Sequence, residues 1–298
     1  MLKKGVMCNI ILLKGVFLLK SITLFFTSFV LIITYIFGLG EISTSSGYEL
    51  ARKEKLTPAV SMFAGQGLCC DGEFFYSSGS ITAVGFTGLA KFDLNMNCKK
   101  RVSSAIPDEF KTRFQSDHIG GIDCANGKIY ASVEGEGYKY NFVLVYDCDT
   151  LEYTGEYYDL TSEYLTDGIP WLAVDRENGM LYTSMFSDVN EILVYDLEAM
   201  ELTRTIALSE TVNRIQGGSV YGGVLYLSYD ADDSTDEQVL AVNTEDGSVS
   251  VEFERHLPNY DNEAEDICVC PLQDGSLFHI IDYDKLICAN IMHYSKSN

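Results

Sequence analysis

The sequence predicts an all-β chain whose main body repeats one four-stranded unit five times. A glycine followed by an alternating apolar strand recurs along the chain. The copies are GEFFYS (72–77), GKIYAS (127–132), GMLYTS (179–184), GVLYLS (223–228) and GSLFHI (275–280). The aromatic column of this motif is Phe75, Tyr130, Tyr182, Tyr226 and Phe278, at separations of 55, 52, 44 and 52 residues. Periods near 40–50 residues are typical of propeller blades, so we expect a five-bladed β-propeller of four-stranded antiparallel blades.

The chain begins with an apolar segment that is distinct from the repeats. Residues 21–40 are uncharged and apolar, and the only charges before them are four lysines. A run of about 20 such residues is long enough to span a bilayer, and lysines on its N-terminal side place that side in the cytoplasm. We expect 1–40 to be an uncleaved anchor, with a cleaved signal peptide as the alternative. The protein would be a single-pass cell-membrane protein with its propeller outside, or a secreted one.

The repeats fill residues 61–298, and 41–60 form a linker that precedes them. Within each unit, period-two alternation indicates strands, and PDEFKTRF (107–114) is the one stretch that suggests a helical turn or two. The fifth unit ends before a fourth strand. We therefore expect 49–60 to supply that strand and close the ring, because an open sheet edge invites aggregation. A six-bladed ring is the main alternative, and a two-sheet sandwich explains the motif less well.

Composition limits the partners. The formal net charge is −22, with 43 acidic and 21 basic residues, so nucleic acid is excluded as a partner. The absence of an N-x-S/T sequon fits a bacterial cell-surface protein better than a glycosylated eukaryotic one. We expect a monomer.

Eight cysteines lie beyond the apolar segment, and either disulfides or buried free thiols would account for them. They are Cys69, Cys70, Cys98, Cys124, Cys148, Cys268, Cys270 and Cys288. No C-x-x-C pair occurs, so the sequence predicts no zinc site of the usual spacing.

A site is expected where the first strands of the blades line the central channel. The polar or aromatic candidates there are Gln66, His118, Trp171, Gln216 and Glu265, with Asp123 and Asp266 as neighbours. Convergent polar groups in a concave site form the default pocket hypothesis, and hydrogen bonding to channel water or inter-blade packing is the structural alternative.

Calcium is the one cofactor that the sequence leaves open. DADDSTDE (230–237) alternates acids like the start of a calcium loop, but it lacks the glycine and final glutamate of an EF-hand. An exposed acidic hairpin loop is the better interpretation. Glu263, Glu265 and Asp266 could also hold a metal. Signatures of serine hydrolases, zinc proteases and nucleotide-binding enzymes are absent from the sequence.

The stretch 63–94 resembles the first blade of glutaminyl cyclases. Phe63, Gln66, Gly67 and Leu68 match that family's F-T-Q-G-L phrase, and Tyr76, Ser78 and Gly79 loosely match Y-E-S-T-G. The resemblance implies a five-bladed propeller with its chemistry at the channel. The family's acid/base glutamate position holds Ser77 here, and a serine cannot shuttle a proton near neutral pH.

Two functions follow as hypotheses. The first is a binding module that takes a small molecule or peptide in the channel, or a protein partner. The alternative is a cyclotransferase-like, lyase or hydrolase enzyme with its site at the channel mouth. Propellers host both roles, so whether the chain is an enzyme is left open.

Overall fold

The computed structural model describes residues 42–45, 47–230, 236–257, 262–284 and 288–297. The predicted anchor at 1–40 and most of the acidic loop at 231–235 lie outside the described residues. Among the described residues, no helix has the length and apolar character to span a membrane.

Two strands and a helical turn precede the first repeat. They are β1 (Ser43–Thr44), β2 (Tyr48–Lys55) and α1 (Pro58–Ser61). The first blade contains β3 (Leu68–Cys70), β4 (Phe74–Ile81), the 3-10 turn Thr82–Val84, β5 (Phe86–Asp93) and β6 (Cys98–Ser103). Then follows α2 (Asp108–Phe114), at the place where the sequence suggested a helical turn.

The second, third and fourth blades each contain four consecutive strands. The second has β7 (Ser116–Ala125), β8 (Lys128–Gly135), β9 (Tyr140–Asp147) and β10 (Tyr153–Asp159). The third has β11 (Ala173–Asp175), β12 (Met180–Thr183), β13 (Val189–Asp196) and β14 (Leu202–Val212). The fourth has β15 (Ile215–Tyr221), β16 (Val224–Tyr229), β17 (Asp236–Asn243) and β18 (Val249–His256).

The fifth blade joins the two ends of the repeat region. Its three C-terminal strands are β19 (Asn262–Val269), β20 (Phe278–Asp284) and β21 (Cys288–Lys296). Its outer strand is β2, which pairs with β21 in antiparallel register, Lys53 opposite Met292. The sequence placed this ring-closing strand within 49–60, and the structure places it at Tyr48–Lys55. It also adds β1 to the outer edge of the fourth blade, which the sequence did not predict.

The resulting fold is an all-β, five-bladed propeller with antiparallel blades. The repeated aromatic column packs in its core: Phe75, Tyr130, Tyr182 and Phe278 are buried and Tyr226 is partly buried. Phe278 and Tyr226 meet edge to face across the boundary between the fifth and fourth blades, with ring centroids 5.1 Å apart. The aromatic residue of the motif therefore packs in the core between blades, as the sequence indicated.

The carboxylate of Asp266 lies where the inner strands converge. Oδ2 accepts the backbone N–H groups of Leu68 (3.0 Å) and Ile122 (3.1 Å), while Oδ1 accepts those of Gly218 (3.1 Å) and Ile267 (2.9 Å). One fully buried side chain thus ties the first, second, fourth and fifth blades together. A Cβ at Gly217 would lie 2.3 Å from Oδ1, so this approach requires glycine there.

A pair of buried histidines lies on the sheet of the fifth blade, which closes the ring. His279 Nε2–H donates to the carbonyl oxygen of Cys270 (2.7 Å), and the Nδ1 atoms of His279 and His293 lie 2.7 Å apart. Burial lowers the pKa of His279 to about 4 and that of His293 to about 3. Both rings are therefore neutral at pH 7.

We predict that replacing Asp266 by Asn destabilises the fold by about 2–6 kcal/mol. An amide keeps the shape but has one acceptor oxygen, so its NH2 group would face two N–H donors that each cost about 1–3 kcal/mol when unpaired. Urea unfolding followed by circular dichroism measures the loss. The exposed Asp117→Asn change is the matched control, and equal stability of the two variants would contradict the role assigned to Asp266.

We also predict that the histidine pair makes stability depend on pH. Because both folded pKa values lie below the unfolded value, the contribution is fully present above about pH 6.5 and is lost as pH falls toward 4. Each histidine contributes a slope of about 1.4 kcal/mol per pH unit in that window. His279→Gln should flatten the slope between pH 5 and 7 in urea unfolding. Identical slopes for wild type and His279→Gln would refute the prediction.

Candidate functional site: the acidic channel mouth

The N-terminal ends of the inner strands surround a cavity of about 260 Å3, which we call the channel mouth. Four of the five predicted site residues line it: Gln66, His118, Gln216 and Glu265. The other lining residues are Glu134, Tyr138, Asp167, Pro170, Phe186 and Glu263. The described lining includes four carboxylates and no lysine or arginine.

A chain of hydrogen bonds links three blades at the mouth. The Nε2–H2 group of Gln66 donates to Glu265 Oε1 (3.0 Å), and Gln66 Oε1 lies 2.6 Å from His118 Nε2. His118 Nδ1 lies 2.9 Å from Glu134 Oε2. Both ring nitrogens of His118 thus lie within hydrogen-bonding distance of a side-chain oxygen. Its side chain is about 28% exposed, so it reaches the cavity.

Glu265 is a buried carboxyl group of the mouth whose pKa is perturbed. Its side chain is buried at the start of β19, and burial, then the neighbouring charge of Glu263, raises its pKa well above the ordinary value. Glu263 accepts a hydrogen bond from Gln216 Nε2 (3.2 Å). A buried carboxyl beside other carboxylates favours a neutral form or a bound cation.

Glu134 is a residue of the mouth that the sequence analysis missed. It lies on β8, in register with His118, and its Oε1 accepts the backbone N–H of Ile169 (2.7 Å). That contact depends on Gly168, which has φ +83° and whose added Cβ would lie 2.1 Å from Glu134 Oε1. The signal in the sequence was the alternation SVEG, in which one charged residue interrupts a buried strand.

Trp171 does not line the mouth. It is fully buried, its indole N–H donates to Ser184 Oγ (3.0 Å), and its ring packs against the backbone of Gly218. Trp171 therefore packs between blades, which was the alternative to a site residue. Asp123 and Asp266 are also separated from the mouth: Asp266 binds backbone amides, and Asp123 lies at the opposite ends of the inner strands.

Two other residues that the sequence analysis named are buried and bonded to neighbouring groups of the fold. Asp230, expected on an exposed acidic loop, is instead buried and forms an ion pair with Arg214. Ser77, at the glutaminyl cyclase glutamate position, is buried and donates its hydroxyl to the carbonyl oxygen of Phe63 (2.6 Å).

Comparisons with known proteins show the fold alone. No protein-family model matches the chain, and no curated protein matches it, so these comparisons do not support the resemblance to the glutaminyl cyclases. Among solved structures, a GH43_1 enzyme from Xanthomonas citri complexed with xylose is 11% identical with a TM-score of 0.54, covering 80% of this chain and 89% of that one.

Two further structures are more distant. Hydrazine synthase from Kuenenia stuttgartiensis is 15% identical with a TM-score of 0.42, covering 74% of this chain and 65% of that one. A chain of the mitotic checkpoint complex is 9% identical with a TM-score of 0.38, covering 76% of this chain and 60% of that one. This chain thus spans less than two thirds of each of these two. The likeness to the GH43_1 structure supports the propeller fold and assigns no activity.

We predict that Gly168→Ala lowers the free energy of unfolding by more than the strain of alanine at positive φ alone. Alanine at positive φ costs about 1–3 kcal/mol by itself, and its Cβ would also displace the Glu134 carboxylate from the Ile169 amide. Gly179→Ala is the matched control, because Gly179 has φ +64° and an added Cβ there meets nothing within 4 Å. Thermal unfolding should show a larger loss for Gly168→Ala by about 1–3 kcal/mol, the cost of unpairing the buried amide. Equal losses would show that Glu134 does not depend on Gly168.

Proposed function

We propose that the protein is a binding propeller that takes a small organic cation, such as an amine or the amino group of a peptide, at the channel mouth. The observation that carries the proposal is the convergence of Glu134, Asp167, Glu263 and Glu265 around one cavity without a lysine or arginine in its described lining. Clustered carboxylates with low-dielectric walls raise the local concentration of cations.

The walls of the mouth fit an organic cation rather than a bare ion. Tyr138 and Phe186 supply aromatic surface beside the carboxylates. An ammonium or guanidinium group over an aromatic face gains about 0.5–2 kcal/mol. The amides of Gln66 and Gln216 already hydrogen-bond to Glu265 and Glu263, so they hold these two carboxylates in position.

Calcium is the second ligand that we propose for the same cavity. Glu263 and Glu265 would supply oxygen ligands, as Ca2+ prefers. Asp266, the third acid of the predicted metal group, already accepts four backbone amides and so has little capacity left for an ion.

An enzyme is the alternative function, and one observation favours it. Glu265 has a pKa raised by burial, and it lies beside other carboxylates, a pattern from which acid/base pairs are built. The GH43_1 enzyme of the fold comparison is complexed with xylose, so a glycoside is one substrate class to examine. A peptide with N-terminal glutamine is the other substrate class, because residues 63–94 resemble the first blade of glutaminyl cyclases.

We place the propeller outside the cell membrane, held by the apolar residues 21–40. The support is the sequence alone: the length of this run and the four lysines before it. Alkaline extraction of membranes checks it, because an anchored chain stays in the membrane pellet and a secreted chain does not.

We predict that lysine amide and putrescine raise the melting temperature of the protein, and that xylose does not. The shift in melting temperature grows with the ratio of the ligand concentration to its Kd. Glu263→Gln should weaken the cation effect about 10-fold, since removing one charge from the cluster costs on the order of 1–2 kcal/mol. Exposed Glu198→Gln, far from the mouth, is the control.

Three other outcomes would decide against the organic cation. A shift with Ca2+ alone would assign the site to the metal. Turnover of an aryl glycoside or release of ammonia from a glutaminyl peptide, lost in Glu265→Gln, would establish the enzyme. No shift with any of these ligands would overturn the binding site at the mouth.

A further inference from the structure

The ends of the inner strands opposite the mouth bring together a group of buried ligand atoms. We propose that Cys69, Asp123 and Cys124, here called the thiol cluster, bind a thiophilic divalent metal ion such as Zn2+ or Cd2+. Cys69 belongs to the first blade, while Asp123 and Cys124 belong to the second. The proposal is independent of the channel mouth and of its ligand.

The spacing of the cluster is close to that of a metal site. The two Sγ atoms and a carboxylate oxygen of Asp123 lie within 4.8 Å of one another, and all three residues are buried. Sulfurs bound to one tetrahedral Zn2+ at about 2.3 Å lie roughly 3.8 Å apart. Side-chain rotations that bring the three atoms closer by about 1 Å would therefore complete the site.

The surroundings provide the charge balance that such a site needs. Arg176 NH2 donates to Asp123 Oδ1 (3.2 Å) and to Cys124 Sγ (3.3 Å), and its Nε donates to the carbonyl oxygen of Cys124 (2.6 Å). Two thiolates, a carboxylate, one divalent ion and this guanidinium sum to zero charge. Val174 N–H holds Asp123 Oδ2 (2.8 Å), as partners outside the ligand set commonly do.

A solvent-connected cavity reaches Asp123, one member of the cluster. Asp123 and Arg176 line a cavity of about 380 Å3 together with Cys268 and Cys270. The Arg176 side chain is about 43% exposed, so the cavity communicates with solvent. A water molecule from this cavity would supply a fourth ligand.

Cadmium titration of the full-length chain tests the proposal. The protein is purified in mild detergent with a phosphine reductant and a chelator, then freed of the chelator. We expect one Cd2+ per chain with a sulfur-to-cadmium charge-transfer band, and a higher melting temperature. Cys69→Ser and Cys124→Ser should weaken affinity more than 100-fold, and Arg176→Gln, with both thiols intact, about 10–100-fold.

Matched controls separate this site from other thiols. Cys98→Ser and Cys288→Ser remove cysteines outside the cluster and should leave the titration unchanged. If Cys69→Ser fails to fold, Cys124→Ser and Arg176→Gln carry the comparison. The proposal is overturned if the band survives loss of both Cys69 and Cys124. It is also overturned if the reduced protein binds no Cd2+, or if only a Cys69–Cys124 disulfide is found by peptide mass mapping.

Discussion

The carboxylate of Asp266, which accepts four backbone amides from four blades, is the contact on which the arrangement of the inner strands depends. Burial raises its pKa, and the amides of Leu68, Ile122 and Ile267 oppose that shift. Fully paired buried polar groups specify one arrangement, because any displacement leaves several amides without a partner. This interaction therefore fixes the axis of the propeller from within, where side chains such as Trp171 then pack.

Asp266 also divides the interior into two ends of different chemistry. On one side, the first residues of the inner strands place Gln66, His118 and Glu265 around an acidic mouth. On the other, the last residues of the same strands place Asp123, Cys268 and Cys270 around a second cavity. Carboxylates at one end favour hard or organic cations, whereas thiols at the other favour thiophilic metals. One set of strands thus supplies two sites that share no side chain.

Closure of the ring depends on both ends of the repeat region. The strand β2 completes the fifth blade, and β1 extends the fourth, so the residues before the first repeat contact two blades. The neutral pair His279 and His293 is buried on that same sheet and packs edge to face on Phe75 of the first blade. Backbone pairing inside the fifth blade therefore closes the ring, and packing of the two histidine rings on Phe75 joins the fifth blade to the first.

The sequence by itself determined the repeat, because each blade records its own strand alternation and aromatic column in a local pattern. That pattern predicted five blades, the closing strand and four of the ten residues that line the mouth, since first-strand positions face the channel in every unit. Only the tertiary structure decided that Glu134 and Asp167 join them. Glu134 comes from a second strand, and Asp167 from the connection between two blades. The same holds for the thiol cluster, because Cys69 comes from the first blade and the adjacent residues Asp123 and Cys124 come from the second. For Trp171 the sequence predicted a position in the channel that the structure does not show. Its ring lies in the core, where it packs against Gly218 and donates a hydrogen bond to Ser184. Sequence periodicity specifies which element a residue belongs to, and the register of blades around the axis decides which side chains meet.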